Sequence, residues 1–283
     1  MTIRKPADGH FFNIFDIVKE QPIGIFDSGV GGLTVAHAMK QILPGESLIY
    51  FGDTAHLPYG DKSAESIRYY SHRITEFLLR HNSKVVLVAC NSASASAFDS
   101  LKKEFQGKTI LLDVIDPVVN YLGNRNFNKI GVIGTKRTIS SGTYEKKIKE
   151  KSPLTEVVSL ATPLLVPMIE EGFIFDDISN AIIRTYLSND SLNGIQALIL
   201  GCTHYPIIKN QISKIFNFNI EVVDSARIVS MILRETLEKR GLLNDSGIVK
   251  DLFFVSDYTT YFEKIARMFF EREINLKKAD IWS

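Results

Sequence analysis

Only two cysteines occur in 283 residues, Cys90 and Cys202. That excludes a disulfide scaffold and a four-cysteine zinc site. Neither sign of charge is in excess: 33 Lys and Arg against 32 Asp and Glu leave a net +1. Nothing in that balance selects a nucleic acid or an anionic membrane as partner. No segment approaches the roughly 20 apolar residues of a membrane span, and residues 1–20 hold scattered charges without an apolar run of signal-peptide length. The expectation is a cytoplasmic protein with reduced thiols. Also missing are a G-x-G-x-x-G fingerprint, a G-x-x-x-x-G-K-[ST] phosphate loop, a Ser/Gly-rich linker and any low-complexity tract. What remains is an ordinary globular composition, 45% hydrophobic and 23% charged. The length suits one large domain or two of about 140 residues.

Short apolar runs alternate with amphipathic stretches along the whole chain. Residues 22–26, 47–51, 84–89, 109–112, 129–133, 156–160, 196–200, 220–223 and 251–255 read as strands. Several, such as Val85-Val86-Leu87-Val88 and Ala197-Leu198-Ile199-Leu200, are apolar at consecutive positions, as in parallel sheets covered on both faces. Stretches 63–80, 226–240 and 258–272 carry apolar residues at helical spacing, for example Ile67, Tyr70, Ile74, Phe77 and Leu78. The pattern is α/β with right-handed crossovers.

Ligands of open α/β sheets bind beyond the carboxyl ends of the strands. Those ends are small and polar here: Asp27-Ser28-Gly29, Gly52-Asp53-Thr54, Cys90-Asn91-Ser92, Gly134-Thr135-Lys136 and Gly201-Cys202-Thr203-His204. Residues 84–91 (K-V-V-L-V-A-C-N) and 196–203 (Q-A-L-I-L-G-C-T) repeat one plan, an apolar strand ending in a cysteine, and suggest two similar halves with one thiol each. Each thiol is expected at a helix N-terminus, where the partial positive charge lowers its pKa toward neutrality. Two such thiols facing each other across a cleft could remove a proton from a carbon on one face and deliver one to the other. Several other uses stay open at this point. Cys202 and His204 could belong to a zinc site or a Cys–His hydrolase. Gly29, Gly31 and Gly32 could bind a phosphate or simply make a strand-to-helix turn. Asp27 could be a helix N-cap, and Glu170 and Glu171 exposed positions at a helix end. The cysteines could be inert in an amino-acid binding protein.

The runs G-I-F-D-S-G-V-G-G-L-T from 24, Y-F-G-D-T-A-H-L-P-Y-G from 50, V-A-C-N-S-A-S-A from 88, V-P-M-I-E-E-G from 166 and L-G-C-T-H-Y-P from 200 resemble the glutamate racemases, in family order over most of the chain. The resemblance implies two pseudo-symmetric α/β domains, each a mainly parallel sheet flanked by helices, with the active site in the cleft between them. Residues 23–116 plus 225–283 would form the first domain and 117–224 the second, after an N-terminal extension, 1–22. It implies a cofactor-independent enzyme, without metal, that interconverts L- and D-glutamate and supplies D-glutamate for peptidoglycan. Cys90 and Cys202 would be the acid/base thiols, Cys90 serving the D-isomer and Cys202 the L-isomer. Asp27 would assist Cys90, and His204 and Glu170, rather than Glu171, would assist Cys202. Asp27, Ser28, Tyr59, Gly60, Asn91, Ser92, Thr203 and His204 would bind the substrate. The implied partner is this small molecule, with no nucleic acid or membrane, and a homodimer is left open.

Three departures from the family pattern stand out. Ser92 replaces the usual Thr and keeps its hydroxyl, Thr162 stands where many members have Cys, and residues 1–22 precede the family's core. Some members link such an extension to regulation by a cell-wall precursor, a point left open here. No Arg or Lys stands in the matching motifs, so hydroxyls and amides are expected to hold the side-chain carboxylate. The α-proton is very weakly acidic, and without a Schiff-base cofactor its removal must be helped by hydrogen-bond donors in a cleft closed to water.

Overall fold

The computed structural model describes residues 17–258, 260–270, 274 and 276–282. The first run of elements is β1 (Ile23–Asp27), α1 (Leu33–Ile42), β2 (Leu48–Gly52), α2 (Ala64–Arg80), β3 (Val85–Val88), α3 (Asn91–Phe105), β4 (Ile110–Asp113) and α4 (Asp116–Gly123). The second is β5 (Lys129–Gly134), α5 (Lys136–Ser140), α6 (Thr143–Lys151), β6 (Glu156–Ala161), α7 (Leu165–Glu170), α8 (Asp177–Leu187), β7 (Ala197–Gly201), α9 (Lys209–Ile215) and β8 (Glu221–Val223). The chain closes with α10 (Ser225–Lys239), β9 (Leu252–Val255), α11 (Thr260–Phe270) and β10 (Leu276–Lys278).

The strands form two all-parallel sheets. One has the order β10-β9-β2-β1-β3-β4 and the other β6-β5-β7-β8. Stripped of β9 and β10, the two share one plan: the second strand lies on one side of the first, and the third and fourth on the other. The order therefore reverses between β1 and β3 and again between β5 and β7, and such switch points open crevices at the carboxyl ends of the strands. Both faces of each sheet are covered. Leu87 and Val85 point to one core and Val86 and Val88 to the other. Likewise Leu198 and Leu200 face one layer, and Ala197 and Ile199 the opposite one. This is the reason the strand sequences are apolar without alternation. Helix α10 returns to the first sheet, packing Ala226, Val229, Leu233 and Leu237 into its core.

The α/β architecture expected from the sequence is met, with one strand unforeseen. β10 is an edge strand of three residues, Leu-Lys-Lys, paired among the described residues to β9 alone, and it lacks the apolar run that marks a strand buried on both faces. The stretch expected to be helical over 258–272 is helical over Thr260–Phe270, and residues 259, 271 and 272 lie outside the described ones. Of the expected N-terminal extension, residues 1–16 also lie outside them. No helix among the described residues is long and apolar enough to cross a membrane.

Candidate active site

The two switch points face each other, and between them lies a cleft of about 160 Å³. That is well below the roughly 300–1,000 Å³ of pockets for drug-sized ligands, and suits a small metabolite. Ser28, Cys90, Asn91 and Ser92 line it from the first half, with Tyr59 and Gly60. Cys202, Thr203, His204 and Glu170 line it from the second. Asp27 is not among the lining residues. It is fully buried behind Ser28, where its carboxylate accepts the Gly29 N–H (3.0 Å) and the Thr203 hydroxyl (3.3 Å).

Cys90 is the N-cap of α3, as the strand–cysteine–helix pattern predicted. Its Sγ lies 3.7 Å from Ser28 Oγ. The expected fall in its pKa does not occur: burial, reinforced by the Asp27 charge, pushes the thiol up to about 12. The Ala93 N–H and the Ser28 hydroxyl pull the other way but do not prevail. In the closed cleft, loss of hydration outweighs the helix terminus. Cys90 is thus a thiol holding its proton firmly.

Cys202 departs from the expectation in another way. It does not start an α-helix: a short 3-10 turn, Tyr205–Ile208, with Pro206 near its start, intervenes before α9. Its neighbour is instead His204, whose Nδ1 is 3.7 Å from Sγ. The other ring nitrogen, Nε2, is 3.0 Å from Glu170 Oε1, at the last position of α7. Burial alone would lower the imidazole, but the hydrogen bonds and charges of Cys202 and Glu170 override it and raise the pKa to about 10. An imidazolium is therefore held between a carboxylate and a sulfur. Glu171, its neighbour in sequence, is exposed.

Polar contacts tie the halves together around the cleft. The Thr34 hydroxyl donates to Thr203 O (3.0 Å). Ser92 Oγ is 2.9 Å from Thr135 Oγ1, and Tyr144 OH is 2.7 Å from Asn91 Oδ1. The glycine-rich turn serves this closeness. A Cβ on Gly31 would stand 2.3 Å from Thr203 Oγ1 and 2.5 Å from His204 Nδ1, so only glycine lets the turn approach the opposite half. The Tyr59 hydroxyl is already engaged, donating to Asp53 Oδ2 at 2.6 Å.

A profile described as Asp/Glu/Hydantoin racemase matches residues 25–231, a span that carries both cysteines and every residue of the cleft. The chain belongs to that family. A glutamate racemase of Chlorobaculum parvum is 42% identical over 255 residues, 89% of this chain and 93% of its own. The solved structure of a glutamate racemase from Francisella tularensis, in complex with D-glutamate, superposes with a TM-score of 0.86 at 39% identity, covering 94% of this chain and 99% of the other. A glutamate racemase isoform from Bacillus anthracis gives 0.88 at 33% identity, covering 93% and 98%.

Some residues in and around this racemase-family cleft had no role assigned from the sequence. Lys136 lines the mouth, paired with Asp61 of the other half at 3.4 Å, so a cation does stand at the cleft. The polar strand end after β5 was the available signal. Thr135, at that same strand end, and Tyr144, behind the cleft, received no role because their partners, Ser92 and Asn91, are distant in sequence. Thr162 lines the wall with its hydroxyl 2.7 Å from Tyr205 OH. Among the described residues no group of three or more His, Cys, Asp or Glu is placed to hold a metal.

Proposed function

We propose that this protein interconverts L- and D-glutamate by moving the Cα proton between two thiols. The observation that carries the reading is the pair of cysteines lining one small cleft from opposite halves, in opposite charge settings. Acid and base roles follow from the unlike surroundings of two such groups. Cys90 faces Asp27 and keeps its proton, as an acid must. Cys202 faces the His204 imidazolium, which can hydrogen-bond to a thiolate, as a base requires. After one turnover the proton has changed sulfurs, and the enzyme is set for the opposite enantiomer.

Asp27 and the His204–Glu170 pair assist the thiols in this scheme. Ser28, Asn91, Ser92, Thr203 and His204 bind the amino acid, and Tyr59 and Gly60 meet its side chain. Negative charge that builds on the α-carboxylate as the proton leaves meets hydroxyls, the Asn91 amide and the positive end of α3. Lys136 adds a cation at the mouth for the side-chain carboxylate. The substrate is glutamate because the relatives of high identity are named glutamate racemases. The product serves peptidoglycan synthesis in the cytoplasm. Residues 23–116 plus 225–283 and 117–224 act as the two domains that close on it.

Optical rotation of L-glutamate with purified protein and no added cofactor tests the activity. L-aspartate should not turn over, and equal rates on both would refute the substrate assignment. In heavy water, Cys90→Ala should label L-glutamate without inverting it, and Cys202→Ala should label only D-glutamate. A missing partner in acid–base catalysis costs about 10²-fold or more. Label in both enantiomers from either single variant, or full racemisation by either, would refute the two-thiol mechanism.

A further inference from the structure

We infer that Tyr144 is a positioning residue, which fixes the orientation of the Asn91 side-chain amide so that Nδ2 is the group offered to the substrate. The inference rests on the proposed role of Asn91 in substrate binding and adds what controls it. Tyr144 is the second residue of α6, in the second half, and its ring is buried in a core with Ile130, Val132 and Ile199. Asn91 is the first residue of α3, in the first half, and lines the cleft. The two are buried and joined by the Tyr144 OH to Asn91 Oδ1 hydrogen bond of 2.7 Å. Thr143, beside Tyr144, donates to Ala95 O at 3.4 Å and docks α6 on the start of α3.

An amide can turn end for end with no change of shape, so its hydrogen bonds decide which end points where. Among the described residues, Asn91 Oδ1 is the acceptor shown for the Tyr144 hydroxyl proton. Turning the amide would make Nδ2 a donor to the Tyr144 oxygen and take away the acceptor shown for the hydroxyl proton, a costly arrangement in a buried place. Nor can the hydroxyl change roles by ionising, since burial, with the charges of Asp113 and Cys202, raises its pKa further. The consequence is visible at the other end of the amide: Asn91 Nδ2 is buried with no protein partner. A donor left idle at the wall of a cleft for a dicarboxylate matches a carboxylate oxygen. Because its orienter belongs to the opposite half, the amide is set only when the halves are together.

The test is a double-mutant cycle on racemisation, with thermal unfolding as the check on folding. Tyr144→Phe keeps the buried ring. It should lower kcat/KM about 10- to 100-fold, the loss that corresponds to misplacing one buried polar group. In an Asn91→Ala background the same change should alter kcat/KM by less than about twofold, because nothing is left to orient. Equal losses in both backgrounds, or no loss in the first, would overturn the proposal. A merely structural tyrosine would lower the unfolding temperature alike in both backgrounds and leave no coupling in rate. The Asn91 side-chain amide signals of protein labelled with [15N]asparagine keep this apart from the wider reading. They should broaden or double in Tyr144→Phe whatever the reaction, and an unchanged pair of signals would also overturn the proposal. Failure to racemise glutamate would refute the assigned activity and leave those signals unaffected.

Discussion

The two sulfurs should differ in reactivity although they are equally enclosed. Cys90 is 5% exposed and Cys202 6%, so a small neutral reagent meets both at the same cost of access. Their charge settings differ: Cys90 faces Asp27, and Cys202 an imidazolium. The rise of the Cys90 thiol from about 9 to about 12 makes its thiolate roughly 10³-fold scarcer near neutral pH. A more basic thiolate is the better nucleophile, with a Brønsted slope of about 0.4–0.5, which returns about 20-fold. The net expectation is that Cys90 reacts about 50-fold more slowly than an ordinary thiol of the same access. The assay is timed exchange with 2-hydroxyethyl disulfide at pH 7.5, quenched with acid and read by peptide mass spectrometry. Cys202 should form the mixed disulfide first. Cys90 should keep accelerating beyond pH 10, where an ordinary thiol has levelled off. Asp27→Asn removes the second-largest cause of the shift and should speed Cys90 selectively. Equal rates, or Cys90 reacting first, would refute the division into acid and base.

Three further outcomes follow from the same geometry. Glu170→Gln removes a charge that holds His204 protonated, so the imidazolium should be lost at lower pH. The alkaline limb of the kcat/KM profile should move down in pH, equally in both directions, because the enantiomers are equal in energy. Gly31→Ala puts a Cβ into Thr203 and His204, which are buried, and should both cut kcat/KM about 10²-fold, as small misplacements in a catalytic site do, and lower the unfolding temperature by several degrees, as overpacking by about 1–3 kcal/mol does. Asp113 is buried, and this burial with the nearby Asp116 charge raises its carboxyl to about 7. Its ionisation therefore penalises the fold increasingly as pH rises from about 4 to 7 and fully above that. Asp113→Asn should stabilise the protein by up to about 4 kcal/mol at pH 8 and negligibly at pH 4, measured by denaturant unfolding at both.

The elements that carry the site were legible because they obey local rules. A run such as Val85–Val88 is buried on both faces, and only a covered parallel sheet satisfies that along with its flanking helices. The matching strand–cysteine plans at 84–91 and 196–203 announced two halves, and the two sheets do share one topology up to β9. Edge strand β10 stayed hidden because an edge strand owes its place to a partner and has no apolar pattern of its own. The helix expected after Cys202 failed locally: Pro206 and the buried Tyr205 ring set a 3-10 turn there.

The amino-acid sequence by itself determined which chemistry was available: two thiols, a histidine, carboxylates and hydroxyls, most of them just beyond the end of a buried strand and Glu170 at the end of a helix. Tertiary structure alone decided how those groups behave. Cys90 was expected to lose its proton readily because a helix begins at that residue, but the field it feels comes from Asp27 across the turn and from missing water. His204 holds its proton because Cys202, two residues before it, and Glu170, 34 residues earlier, both reach its ring. Gly31 is glycine because Thr203 and His204 crowd it from the other half. Propensity and periodicity act between neighbours in the chain. Desolvation, Coulomb interactions and steric exclusion act between neighbours in space, and these exist only once the two sheets have closed on each other.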